Sequence, residues 1–375
     1  MNRSPVTAMD VFPVRWPLKM KRRHGVGDIA ETMPGVVLRL ETGDGIVGWG
    51  EAAPWSVFTG TAEGNAQALH VYLRPLVLGA ETSAITSIMQ AAEKAVVGHP
   101  EAKAALEMAL SDIEGQRLGV PVATLLGGFH RREIPLSVSI ANPDFDEDLA
   151  FAEARLADGV RIFKVKTGFL SHADDLHRLE RLRAILPPDA DLRIDYNQGL
   201  DPWNALGQLR EMERFRPTFI EQPVKRDQRR AMGALAAALD TPLMADESVF
   251  TPAEAVELAA ERYADIVSVK LMKAGGFRRA SAIAAIAEAA GIPAYGGTMF
   301  EGGIASAAGL HWVAATPNVS LGAEFYTSTY VMGADVLTTP LVIREGRSIV
   351  PDGPGLGIVV DEDRVRSLCV ERLGD

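Results

Sequence analysis

The chain has 375 residues, 47% of them apolar and 23% charged, with a net charge of −11 and a single cysteine, Cys369. Length and apolar content suit two domains or one large α/β barrel with an attached lobe, and they exclude a disordered chain. The acidic balance argues against a nucleic-acid partner, and one thiol can form neither an internal disulfide nor a zinc site.

Met1, Asn2, Arg3, Ser4 and Pro5 lead into no apolar stretch, and the most apolar later segment, 281–294, is interrupted by Glu288. Neither a leader nor a membrane span is predicted, and the expected location is cytoplasmic. A basic cluster at Lys19, Lys21, Arg22, Arg23 and His24 reads as a solvated loop able to attract an anionic small molecule. Residues 36–40 and 46–50 flank a Gly43-Asp44-Gly45 turn, which predicts a hairpin. Residues 101–117 place Ala105, Leu106, Met108, Ala109, Leu110 and Ile113 at helical intervals, and Gly119 and Pro121 stop the helix.

From about residue 134 the texture changes to short β-rich runs separated by helical patterns. The runs are 134–140, 162–167, 192–197, 218–223, 243–248, 266–271, 293–298 and 319–324. Eight such units predict a closed parallel barrel. An open doubly wound sheet is disfavoured because no glycine-rich phosphate turn follows any run. The turn-rich segment 351–357 leaves the barrel and is expected to pack on the first lobe.

Three successive runs carry an acid near their ends: Asp195, Glu221 and Asp246. C-terminal ends of neighbouring barrel strands converge on one mouth, so these carboxylates are expected to lie together. Their repulsion favours a cation among them, and an all-oxygen set suits Mg²⁺ or Mn²⁺. Asn197 and Glu247 follow closely enough to orient ligands or metal-linked water. Lys164 and Lys166 are i and i+2, so both leave one face of their strand, opposite apolar Phe163 and Val165. The same alternation sends Lys270 inward with Ser268. An inward lysine must be paired or lose its proton easily, and the second case suits a general base. Lys166 and Lys270, in the second and sixth runs, face each other across the mouth. Glu324 ends the eighth run, where it either donates a hydrogen bond to an intermediate when protonated or pairs with a lysine when not. Lys273 and Asp265 read as surface or turn residues.

Taken together, Lys164-Val165-Lys166, Asp195-Tyr196-Asn197, Glu221-Gln222-Pro223, Asp246-Glu247-Ser248 and Lys270 to Gly276 resemble the enolase superfamily, muconate-cycloisomerase (muconate-lactonizing) subgroup. Further matches are 48–52 (GWGEA), 125–128 (LLGG), 295–299 (YGGTM) with Glu301, and 354–357 (PGLG). The resemblance implies an α+β capping domain, expected over 1–128, and a modified (β/α)₇β barrel over 129–340. Residues 341–375 then return to the cap. It implies one Mg²⁺ or Mn²⁺ on Asp195, Glu221 and Asp246, with Lys166 and Lys270 as acid/base groups. Lys164 matches the lysine that polarises a bound carboxylate.

The implied reaction moves a proton α to a carboxylate through an enediolate, foremost as a muconate-type cycloisomerase. Alternatives are a racemase or epimerase of N-acyl or N-alkyl amino acids or dipeptides, then a hydroxy-acid dehydratase or a non-catalytic carboxylate binder. Segment 322–326 (GAEFY) resembles the muconate enzymes and lacks the Asp-x-Asp of dipeptide epimerases. Substrate contacts are expected from loops 16–30 and 51–60 and from run seven: His24, Trp55, Thr298, Met299 and Glu301, with Phe325. The partner is a small carboxylate, with no membrane, and the resemblance implies a homo-oligomer, dimer or octamer.

Overall fold

The structure is a computed structural model that describes residues 4–29 and 31–370. Met1 to Arg3, read above for a leader, and the last residues of the returning segment lie outside the described residues. The first lobe holds β1 (Val6–Pro17), a small hairpin of β2 (Arg22–His24) and β3 (Gly27–Ile29), then β4 (Thr32–Thr42) and β5 (Val47–Ala52). β1, β4 and β5 form an antiparallel sheet, and the turn at Gly43 to Gly45 joins β4 to β5 as the sequence predicts.

Helix Pro100–Leu118 starts on a proline at its first turn and ends on Gly119 in the left-handed conformation, at φ +69°. It is buried nearly all round because it is sandwiched. Ala105, Leu106, Ala109, Leu110 and Ile113 pack on the capping sheet, while Ala104 and Met108 join the core of the barrel. Gly48 and Gly50 of β5 permit this contact. A Cβ at Gly50 would lie 1.9 Å from the Ala105 carbonyl oxygen, and one at Gly48 2.3 Å from that of Ala109.

The barrel strands are β6 (Glu133–Ile140), β7 (Ile162–Lys166), β8 (Asp191–Asp195), β9 (Ile220–Glu221), β10 (Leu243–Ala245), β11 (Ile266–Val269), β12 (Ala294–Gly296) and β13 (Val319–Glu324). They pair in parallel in chain order, and β13 closes on β6 through Glu324 opposite Ser137. Each of the eight predicted runs holds a barrel strand, although in 218–223 and 243–248 the strand is only Ile220–Glu221 and Leu243–Ala245. Outward residues such as Phe163, Val165, Leu192 and Ile194 pack beneath the surrounding helices in the main core. Inside, Phe219, Met244, Ile266 and Tyr295 form a separate apolar layer. The buried Arg193 guanidinium stacks on Phe219 and Tyr295 at 4.9 and 5.1 Å.

After the barrel, β14 (Ile343–Arg344) and β15 (Arg347–Ile349) form a hairpin whose second strand pairs with β6. The chain then reaches the capping domain. Val122 N–H donates to the Gly355 carbonyl at 2.8 Å, Leu356 N–H donates to Asp112 at 2.8 Å, and Val370 N–H donates to Pro13. No helix among the described residues is long and apolar enough to cross a membrane.

Candidate active site

Strand register places the chemistry. Lys166 pairs with Asp195, Asp195 with Glu221, and Glu221 with Met244, so one line of residues runs round the inner wall at the C-terminal end of β7 to β10. Asp246 sits two residues beyond Met244, on the same face one layer higher, and Lys270 directly follows β11. In β13 the alternation is broken on purpose by Gly322 at φ +75°. The register slips there, since Ala294 and Gly296 oppose Val319 and Ala323. This bulge turns Ala323 out against Gly296 and Glu324 into the barrel.

Asp195, Glu221, Asp246, Glu247 and Glu324 are all buried, as are Lys164, Lys166, Lys270 and Lys273. Lys164 Nζ lies 2.9 Å from Glu221 Oε2, 2.9 Å from Glu324 Oε2 and 3.5 Å from Asp195 Oδ2. Lys166 donates to Asp195 and, at 3.0 Å, to Asn197 Oδ1. Lys270 and Lys273 both hold Asp246, at 2.6 and 2.7 Å. Asn197 in turn donates to Glu247 Oε1 at 3.2 Å, so it links Lys166 to the second acid of the Asp246-Glu247 pair.

These pairings decide the protonation states. Burial is the largest single influence and favours loss of a proton from each lysine, but the surrounding acids together, Asp195 foremost at Lys166 and Asp246 foremost at Lys270, offset it, and both are raised. In this arrangement the lysines are paired rather than lowered, the first of the two cases posed by the sequence. Glu324 is held ionised: burial opposes this, but Lys164 and Lys166 bring it to about 2. Asp195 and Asp246 are depressed against burial by Lys166 with Lys164 and by Lys270 with Lys273, respectively. Glu221 is raised well above the usual range by burial and by Asp195. Glu247 is pushed up to about 7 by burial, Asp246 and Asp195.

Among the described residues no three acidic or histidine side chains form a ready-made coordination group, because each of Asp195, Glu221 and Asp246 is engaged by a lysine. The donors nevertheless fit a hard divalent cation. They are all oxygen, and Glu221 Oε1 and Glu247 Oε2 are buried without a hydrogen-bond partner.

Above this floor lies a cavity that Lys164, Lys166, Asn197, Lys270 and Glu324 enter from below. Its roof is aromatic: His24, Trp55, Phe58, Phe300 and Tyr326, with Thr298 and Met299. Trp55 meets His24 edge-on at 5.2 Å and Phe300 at 5.9 Å, while Phe58 stacks on Trp55 and covers the Lys270 ammonium at 4.6 Å. His24 is neutral, its pKa lowered by burial and by Lys166, Arg22, Lys164 and Lys270.

Several expectations need correction. Phe325 does not line the cavity. With Glu324 facing in, alternation turns Phe325 out onto Gly309, where a Cβ would lie 2.7 Å from its ring. Glu301 also lies behind the wall, accepting from Met299 N–H at 3.1 Å and from the Thr298 hydroxyl. The basic cluster is not simply a solvated loop, because Arg22 and His24 are buried. Their alternation along β2 puts both on one face. Lys273 is a buried partner of Asp246 rather than a surface residue. Gln222 was missed: its side chain accepts from Asp246 and Ser248 N–H groups at 3.0 and 3.1 Å and fixes the end of β10. Its φ of +34°, rare for glutamine, marks a strand end held in a special conformation.

Comparison with known proteins agrees with this geometry. Residues 147–364 match the family described as enolase C-terminal domain-like, and residues 6–127 match the mandelate racemase / muconate lactonizing enzyme N-terminal domain. The chain belongs to the enolase superfamily, muconate cycloisomerase subgroup. It is 38% identical to a chloromuconate cycloisomerase of Cupriavidus pinatubonensis, over 88% of this chain and 90% of that one. It is 35% identical to the L-Ala-D/L-Glu epimerase of Bacillus subtilis over the same shares. The crystal structure of a muconate cycloisomerase from Azorhizobium caulinodans superposes with a TM-score of 0.86 at 48% identity, covering 99% of each chain. As an enolase-superfamily member the chain is an isomerase of the muconate-cycloisomerase type, and the superfamily implies a divalent metal.

Proposed function

We propose that this isomerase interconverts a conjugated dicarboxylate of the muconate type with its lactone. The observation that carries the reading is the charge of the cavity roof. The one carboxylate among the cavity's lining residues, Glu324, is bound through Oε2 to Lys164, which leaves only Oε1 unpartnered, and Glu301 is turned away. Beside the roof lies the buried Arg22 guanidinium, stacked on Tyr326 at 4.8 Å and donating to neutral groups, the Ser139 carbonyl at 3.5 Å, the Tyr326 hydroxyl at 3.4 Å and the Met20 sulfur at 3.9 Å. A buried cation whose hydrogen-bond partners are all neutral is costly, and the distal carboxylate of a diacid offsets that cost. The similarity to enzymes named for muconate and chloromuconate supports the same substrate class.

In ring closure the distal carboxylate oxygen adds to the conjugated double bond and Lys166 delivers its proton to the carbon α to the proximal carboxylate. Ring opening reverses both steps. Lys164 offsets the charge that develops on the proximal carboxylate, and Asn197 holds Lys166 in line. Asp195, Glu221 and Asp246 would hold Mg²⁺ or Mn²⁺, which supplies further stabilisation of that charge. The division of the chain at 128 and 340 belongs to the same proposal; the capping-domain match, ending at 127, supports the first boundary, while the barrel match runs on to 364, past the second.

A second reading, a racemase or epimerase, is favoured by one observation: Lys166 and Lys270 both line the cavity. The deciding experiment follows the loss of diene ultraviolet absorbance when protein with Mn²⁺ meets cis,cis-muconate. Turnover on the order of 1–10³ s⁻¹, lowered about 10²–10⁴-fold in Lys166→Ala, is expected. No loss with intact metal binding retires the muconate reading and moves the search to α-proton exchange on N-acyl amino acids.

A further inference from the structure

Glu51, in β5 of the capping domain, is fully buried, and both of its oxygens leave that domain. Oε1 accepts from Gly302 N–H at 2.5 Å and Oε2 from Ala305 N–H at 3.0 Å. These are N–H groups at the start of barrel helix Gly303–Ala315, whose N-cap, Gly302, has no side chain to satisfy them. A larger residue at 302 would press on this joint, because a Cβ there would lie 2.8 Å from the Trp16 ring and 3.0 Å from Glu51 Oε1. The capping domain thus supplies the helix cap that the barrel lacks, and it brings a carboxylate to the positive end of the helix dipole.

The joint stands where the two aromatic walls begin. Trp55 lies four residues after Glu51 in sequence, and Phe300 two before Gly302. These rings meet edge-on at 5.9 Å, and His24 contacts both. Between Phe300 and the joint, Glu301 folds back on Met299 N–H and so makes 298–302 a closed unit. A matched contact exists elsewhere: Glu107 of the capping helix accepts from Arg278 N–H at 3.3 Å, at the start of helix Phe277–Ala289. No residue of that second joint lines the cavity.

We propose that Glu51 is a positioning residue that sets the spacing between the capping wall, Trp55 and Phe58, and the barrel wall, Met299 and Phe300. It thereby governs how tightly substrate is held, not the proton transfer itself. The test is Glu51→Gln beside Glu107→Gln, read first by amide hydrogen exchange and then by kinetics with cis,cis-muconate. Glu51→Gln is expected to speed exchange at least tenfold in both 53–60 and 298–305, and Glu107→Gln in neither. With muconate, KM rises at least tenfold in Glu51→Gln while kcat stays within threefold, and Glu107→Gln leaves KM unchanged.

Equal effects of the two substitutions, or a fall in kcat alone, would overturn the proposal. If wild-type protein does not turn over muconate, the substrate reading fails and the exchange comparison still decides this one. Should Glu51→Gln fail to fold, Gly302→Ala presses on the same joint from the barrel side and takes its place.

Discussion

Lys166 and Lys270 stand four strands apart in a closed ring of eight, yet line one cavity, each held by a different aspartate. Cycloisomerisation uses one proton-transfer lysine, whereas epimerisation uses one on each face. Lys166→Ala is expected to lower kcat by about 10²–10⁴, and Lys270→Ala to retain turnover within about tenfold. Rates in both directions, measured by diene absorbance, check this. Complete loss in Lys270→Ala would favour the two-base reading.

Removing metal with a chelator is expected to abolish turnover, and Mg²⁺ or Mn²⁺ to restore it. Calorimetric titration with Mn²⁺ should show weaker binding in Asp195→Asn, Glu221→Gln and Asp246→Asn. Asp246→Asn should also be the least stable of the three, because it strips both Lys270 and Lys273 of their partner. Breaking a buried ion pair from one side costs about 3–5 kcal/mol, which denaturant titration resolves.

Replacing Arg22 by methionine separates stability from binding. Loss of a buried guanidinium whose hydrogen bonds are long and go only to neutral groups should leave the fold about as stable as wild type. Affinity for a dicarboxylate should fall about 10–100-fold, on the order of 1.4–3 kcal/mol, while a monocarboxylate of the same length is unaffected. Equal losses for both ligands would place Arg22 away from the distal carboxylate.

Glu107 gives a pH signature. Burial raises its pKa to about 7, with Arg278 and its N–H pulling back. Between the unfolded value near 4.5 and about 7 the folded state binds the extra proton, so its contribution to stability falls as pH rises through that window. Glu107→Gln mimics the protonated form at every pH. Its stability relative to wild type should therefore rise between pH 5 and pH 8, by up to about 3 kcal/mol. A difference that does not change with pH would contradict the raised pKa.

Much of this was legible in the residues. The alternation around Lys164 and Lys166 fixes their inward direction because period two leaves no third choice, and the repeat of acids at run ends fixes Asp195, Glu221 and Asp246 at one mouth. Phe325 was misplaced although the same rule, applied from Glu324, sends it outward. Lys273 and Gln222 escaped because they lie past strand ends, where no period operates and only the folded turn shows what they hold. The burial of Arg22 and His24 was hidden for another reason: β2 is three residues long, and its cover comes from barrel loops far along the chain.

The apolar layer of Phe219, Met244, Ile266 and Tyr295 under the lysines makes the cavity a blind alley. Whatever enters must leave by the way it came, hydrogen ions included. A hydrogen taken by Lys166 has no rear exit to bulk water and stays beside the carbon it left for as long as the aromatic roof is shut. Exchange of that hydrogen with solvent waits on the opening of the roof, while the turning ammonium shares it among equivalent positions, so label carried in by one substrate is diluted before it can be returned.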